Sequence, residues 1–251
     1  VDIMTLRLVI TRPQKDAEAL ADELSVLGVE SLLAPLLLIE STGAETPDLD
    51  GVQALLLTSA NGVRAFTHLS KERKIPIFAV GHASALAAEK VGFKNIKSAG
   101  GDVKTLAELV CKKLDFRDGA VLHIAGSMIA GDLAGILGQS GFDYRRVQLY
   151  HAKKVTDLPP QCLIAIKDAL VEGVVLYSPR TAQAFIDLLT KAGLDDCTGQ
   201  LLAFCLSKAV AAKIVAHDWA RVVIAETPDQ AALIKSVREL VTLGNFSKPG
   251  R

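Results

Sequence analysis

The residues best suited to chemistry in this chain are short polar clusters, each placed between an apolar run and an amphipathic stretch. They read Thr11 to Gln14 (TRPQ), Thr58 to Gly62 (TSANG), Gly81 to Ser84 (GHAS), Ala99 to Asp102 (AGGD), Ala125 to Met128 (AGSM), Tyr177 to Thr181 (YSPRT), Leu206 to Ala209 (LSKA) and Glu226 to Asp229 (ETPD). Ser, Thr, Asn and Gly at such positions cap helices. Taken together they offer more, because helix-terminal N–H groups and the helix dipole bind carboxylates or phosphates without any net positive charge. Candidate ligand contacts are therefore Ser59, Asn61, Gly81, His82, Ser127, Met128, Ser178 and Thr181, with Arg12, Arg180 and Lys208 able to add charge-assisted bonds. Tyr150 has two readings that the sequence leaves open. It is a tyrosine packed on a strand, or a phenol beside a cleft that gives its proton to a leaving group.

Other chemistry is missing. No Gly-x-Gly-x-x-Gly follows a strand, and there is no P-loop and no Gly-x-Ser-x-Gly elbow. His68, His82, His123, His151 and His217 lack the spacing and acidic companions of a metal site, so no metal is expected. Cys111, Cys162, Cys197 and Cys205 stand far apart with no Cys-x-x-Cys, which fits packing thiols in a reducing cytoplasm. With 28 Lys plus Arg against 28 Asp plus Glu, the chain has no general field for nucleic acid, and Lys71, Arg73 and Lys74 are its densest basic run. Apolar runs such as Leu32 to Ile39, interrupted by Pro35, fall far short of the ~20 residues of a membrane span. No export signal is apparent.

The elements that must position these clusters follow from periodicity. Val-, Ile- and Leu-rich runs predict strands over Leu6–Thr11, Gln53–Thr58, Ile75–Val80, Ala120–Ala125, Gly173–Tyr177, Leu201–Leu206 and Arg221–Ala225. Helical spacing follows nearly every one. After Thr11, for example, Ala17, Leu20, Leu24 and Leu27 recur at three and four residues, and Gly28 stands where a helix-ending glycine belongs. Alternation of this kind predicts parallel α/β units.

The chain also resembles itself. QALLLTSANGVRAF from Gln53 aligns without gaps on EGVVLYSPRTAQAF from Glu172. AVGHASALAA from Ala79 aligns on CLSKAVAAKI from Cys205, and the segment from Leu8 aligns on the segment from Val121 with Leu20 over Leu133 and Gly28 over Gly141. The order A, B, A′, B′ predicts two similar domains. PLLLIE at 35–40 and VQLYHA at 147–152 occupy equivalent places and are candidate linker strands. If they pair, residues 1–36 belong with 153–251 and residues 38–152 form a second domain. The alternative is two contiguous halves divided near Phe116 to Gly119.

Several of these segments resemble the uroporphyrinogen-III synthase family. They are TRP at Thr11, LGVE at the end of the first helix, PLLLIE, TSANGV, AVGHASA and AETPDQAAL from Ala225, in the family's order and across the whole chain. Two segments depart from the family pattern: Ser207 and Lys208 replace a frequent Gly-Pro, and Asp229 replaces a frequent threonine. The resemblance implies two flavodoxin-like parallel-sheet domains joined by a two-stranded antiparallel ribbon, and so the discontinuous division, with substrate in the cleft. It implies a hydro-lyase that closes the linear tetrapyrrole hydroxymethylbilane to uroporphyrinogen III, losing water and inverting ring D. In the family's proposed mechanism the ring-A hydroxyl departs to give an azafulvene, a spiro intermediate forms, and this fragments and recloses. Tyr150 matches the tyrosine proposed to assist that departure. No metal or organic cofactor is implied, and no nucleic-acid or membrane partner. A mobile cleft implies a monomer, with transient contact with the enzyme that supplies the bilane. The remaining reading is a non-catalytic two-domain cleft-binding protein for a small anionic ligand.

Overall fold

The computed structural model describes residues 6–128 and 131–243. In chain order the elements are β1 (Arg7–Ile10), α1 (Gln14–Ser25), β2 (Glu30–Leu33), β3 (Leu37–Ser41), β4 (Val52–Leu57), α2 (Ala60–Leu69), β5 (Ile77–Ala79), α3 (His82–Lys90), β6 (Ile96–Ser98), α4 (Val103–Lys113) and β7 (Ala120–Gly126). There follow α5 (Leu133–Gln139), β8 (Tyr144–Lys154), α6 (Pro160–Lys167), β9 (Gly173–Leu176), α7 (Pro179–Lys191), β10 (Leu202–Cys205), α8 (Lys208–Ala211), β11 (Arg221–Ile224) and α9 (Gln230–Leu243). Two compact units result, one of residues 1–38 with 153–251 and one of residues 39–152.

The first unit carries a sheet in the order β2-β1-β9-β10-β11, parallel at every junction. Numbered along the chain this is 2-1-3-4-5, the flavodoxin-like arrangement. Its strands are buried nearly throughout at β1, β9 and β10, the signature of a parallel sheet covered on both faces. One apolar cluster, containing Val174, Phe185 and Leu189, lies on one face, and another, containing Leu20, Phe204 and Val237, on the other. Helix α1 ends as its sequence requires: Gly28 adopts φ +73°, a left-handed conformation with no Cβ penalty, and Val29 N–H reaches back to Leu24 O.

The second unit has the order β3-β8-β7-β4-β5-β6. Junctions among β8, β7, β4, β5 and β6 are all parallel. Under the internal repeat, β7 corresponds to β1, β4 to β9 and β5 to β10. Five strands of the second sheet therefore repeat the spatial order of the first, with β3 added beside β8, and after β3 the chain of the second unit begins at the strand equivalent to β9. Its cores also lie on both faces, around Leu56, Phe78 and Leu106 on one side and Leu57, Phe66 and Phe93 on the other. The two runs through which the chain passes between units are paired strands. Thr42 N–H donates to Leu149 O, and Val155 N–H donates to Leu36 O. As one run ascends the other descends, so the ribbon is antiparallel.

Candidate functional site

The predicted loops leave the carboxyl ends of adjacent strands in each unit, where open α/β sheets bind ligands. In the second unit the TSANG turn brings several of them to one place. Ser59 caps α2 from an extended conformation, its hydroxyl oxygen accepting the Asn61 N–H at 3.1 Å. Asn61 Oδ1 in turn accepts from Arg64 Nη2 at 2.6 Å, one helical turn on. The Ser59 side chain also hydrogen-bonds the phenol of Tyr150, and the Arg64 cation acts on that phenol electrostatically.

Tyr150 reaches this position through an irregularity that its sequence does not announce. β7 and β8 pair residue for residue from Val121–Tyr144 to Ala125–Gln148, and then Gly126 pairs with Tyr150, which leaves Leu149 as the extra residue of a bulge. A bulge re-aims the side chain that follows it. The ring of Tyr150 lies over Gly126, where a Cβ would stand 2.5 Å from a ring carbon, so only glycine fits beneath it. Arg146 Nη2 donates to Gly126 O at 2.8 Å, while Ser127 N–H donates to Tyr150 O at 2.9 Å and Ser127 Oγ accepts from Ala152 N–H at 3.2 Å. With 7% of its surface exposed, Tyr150 is held at ring, carbonyl and hydroxyl. Burial raises its pKa above the usual phenol value, and the Ser59 hydrogen bond and the Arg64 charge pull it back.

Other expected contacts take different places. Gly81 caps α3 with no side chain and His82 opens that helix at the surface, so no carboxylate closes this terminus. The expectation that Ser127 and Met128 open a helix is corrected: α5 starts at Leu133 and is capped by the Asp132 carboxylate, because the Ser127 N–H already belongs to Tyr150 O. Met128 is 63% exposed. In the first unit Ser178 and Thr181 form a closed capping box on α7, each side-chain oxygen accepting the other's N–H. Arg180 sits beside them in the first turn. Arg12 is also engaged: its guanidinium stacks 4.1 Å from the centroid of Tyr177, donates to Gln230 Oε1 at 2.6 Å and lies 3.5 Å from Asp16. Lys208 opens the one-turn helix α8, and Ser207 caps it. Carboxylates close the starts of α4 and α9 as well, Asp102 accepting from Thr105 N–H and Asp229 from Ala232 N–H.

Sequence reading missed Arg64 and Gly126. The Asn61–Arg64 spacing was a usable signal for the first, whereas the bulge that brings Gly126 under Tyr150 leaves none. Among the described residues no group of three or more His, Cys, Asp or Glu is placed to hold a metal ion, and no helix is long and apolar enough to cross a membrane.

The family model HEM4, uroporphyrinogen-III synthase HemD, matches residues 18–235. The chain belongs to the uroporphyrinogen-III synthase family. Its reaction is therefore the closure of hydroxymethylbilane to uroporphyrinogen III, a lyase step of tetrapyrrole biosynthesis. Solved family members share the fold. Uroporphyrinogen-III synthetase from Helicobacter pylori 26695 has TM-score 0.61 at 19% identity, covering 94% of this chain and 100% of that one. A mutant uroporphyrinogen III synthase from the extremely thermophilic bacterium Thermus thermophilus has TM-score 0.55 at 17% identity, covering 95% and 100%. Among curated protein sequences none matches this chain.

Proposed function

We propose that Tyr150 is the proton donor of the synthase reaction. The observation that carries this is the buried phenol with the Ser59 hydroxyl on its oxygen and the Arg64 cation acting on it. Burial keeps the phenol protonated at neutral pH, so it acts first as an acid. The proton passes to the departing hydroxyl of hydroxymethylbilane, the C–O bond breaks, water leaves, and the adjacent pyrrole nitrogen, keeping its N–H, supplies the electrons that give the azafulvene as its protonated, cationic form. The phenolate left behind is stabilised by the Ser59 O–H and by Arg64 until it recovers the proton released when the macrocycle closes.

The polycarboxylate substrate needs partners for each charge removed from water. Helix starts with neutral caps favour this: α2 with Ser59 and Asn61, α3 with Gly81 and His82, α7 with Arg180 and α8 with Lys208. The starts of α4, α5 and α9, already occupied by Asp102, Asp132 and Asp229, oppose an anion. The two compact units are the two domains in this reading. Four free cysteines, with the Cys162 and Cys205 thiols pushed up to about 12 by burial, favour the reducing cytoplasm, and a monomer is part of the same proposal. Light scattering on the purified protein tests the monomer.

The deciding experiment supplies hydroxymethylbilane and separates the type I and type III uroporphyrinogens after oxidation. Type III in excess is expected. Type I alone, at the rate without protein, rejects the enzymatic reading and leaves a ligand-binding protein. Tyr150→Phe is expected to lower kcat by about 10²-fold, the contribution of a general acid. Wild-type kcat in that variant would return Tyr150 to a packing role.

A further inference from the structure

Every residue of β7 from Ala120 to Gly126 is buried, and the strand's one ionisable side chain is His123, 1% exposed. An imidazole in such a place needs partners for both nitrogens. It has them on either side of the strand. Nδ1 lies 2.6 Å from the hydroxyl of Tyr144 on β8, and Nε2 lies 3.2 Å from the hydroxyl of Thr58, where β4 gives way to α2. Because the sheet order is β8-β7-β4, the ring links the two strands that flank its own. These flanking segments carry the site: β8 bears Tyr150, and Thr58 immediately precedes Ser59. The Ser59–Tyr150 hydrogen bond joins the same two segments at the level of Gly126.

We propose that His123 is a positioning residue for the synthase reaction: by bridging Tyr144 and Thr58 across β7, it fixes the separation across which Ser59 meets the Tyr150 phenol. The proposal rests on the reading of Tyr150 as proton donor. A leucine or phenylalanine would fill this core position without a polar group to satisfy, so the imidazole and both of its hydroxyl partners call for a role beyond filling space. The charges that face it are compatible with a permanently neutral brace. Burial first, and Arg146 on β8 after it, disfavour the imidazolium, and Asp132, at the start of α5, faces Tyr144 together with Arg146. The brace therefore holds unchanged across the neutral pH range.

His123→Phe keeps the core filled and cuts both hydrogen bonds, whereas Tyr144→Phe removes one and leaves the imidazole. Both variants are checked for folding by circular dichroism, then assayed for kcat and KM. Tyr150 ionisation is followed by NMR of 13C-labelled tyrosine, with its resonance assigned from Tyr150→Phe. Each variant should lose about tenfold in kcat, well short of gross misplacement, with KM within about twofold. Tyr150 should ionise at higher pH as its Ser59 bond loosens. In a Tyr150→Phe background His123→Phe should change kcat no further. A folded His123→Phe protein with wild-type kcat and an unmoved Tyr150 titration overturns the proposal, as does an equal loss in both backgrounds. If Tyr150→Phe alone has wild-type kcat, the proton-donor reading fails. The brace then stands or falls on the titration: a shift sustains it, and no shift overturns it. If His123→Phe does not fold, Tyr144→Phe decides by the same measures.

Discussion

Tyr150 works against its own burial, and the residues around it determine how far. Removing a phenol from water favours its neutral form, so the two groups that draw its pKa down, Ser59 and Arg64, set how readily the proton leaves. Placement matters as much, and it depends on a hydrogen atom: the missing side chain of Gly126. Gly126→Ala puts a methyl 2.5 Å from a ring carbon, so the ring has to move. We expect a kcat loss approaching that of Tyr150→Phe, about 10²-fold, in a protein whose circular dichroism is unchanged; a folded variant with wild-type kcat would refute the close fit. His123 yields a prediction about stability. Burial holds its imidazole down to about 4 against 6.5 in the free side chain. As pH falls from about 6.5 toward 4, the unfolded chain takes up a proton that the folded one refuses, so stability present above 6.5 is lost on the way down, by about 3 kcal/mol at most. Urea unfolding at pH 7 and pH 4.5 should show a larger loss for the wild type than for His123→Phe.

At the scale of elements, the internal repeat places Ser59 and Ser178 at equivalent positions, and both cap a helix. Their partners differ. Ser178 is closed on Thr181, whereas Ser59 keeps a bond to Tyr150. Ser59→Ala and Ser178→Ala should each cost about 1 kcal/mol of stability, as a lost cap does, and only Ser59→Ala should lower kcat. Equal kinetic effects from the two would remove the distinction. Much of this scale was legible beforehand, because hydrophobic runs and polar loops carry the physics of buried strands and helix starts: each expected strand is present within about three residues of its expected bounds. The edge strands β2 and β6 were not. ESLL and IKS are short and at least half polar, and they become strands through pairing with β1 and β5. Nor was the bulge at Leu149 legible, since one unpaired residue depends on two strands in register. The charged caps Asp102 and Asp229 stood inside loops expected to receive anions, and periodicity does not distinguish a helix start that welcomes a carboxylate from one that already holds its own.

At the scale of the whole molecule, each unit has apolar clusters on both faces of its own sheet. Residues 39–152 are contiguous, and their clusters draw on that segment alone. Expressed by itself, the segment should fold, with native-like circular dichroism and one cooperative thermal transition. A fragment without a cooperative transition would show that the unit depends on the rest of the chain.

The first unit is split, and this imposes an order on synthesis. β1 lies between β2 and β9, but β9 leaves the ribosome roughly 140 residues after β2, on the order of ten to thirty seconds at 5–20 residues per second. During that interval β1, α1 and β2 exist as a fragment in which the edge of β1 that will receive β9 is open and the apolar faces are uncovered, while the second unit is completed behind them. The vulnerable period during synthesis thus belongs to β1, α1 and β2. Protease added to stalled chains long enough for β8 but not β9 to have left the ribosome should cut within residues 6–33 and spare 52–150, and a reversed pattern would contradict this order.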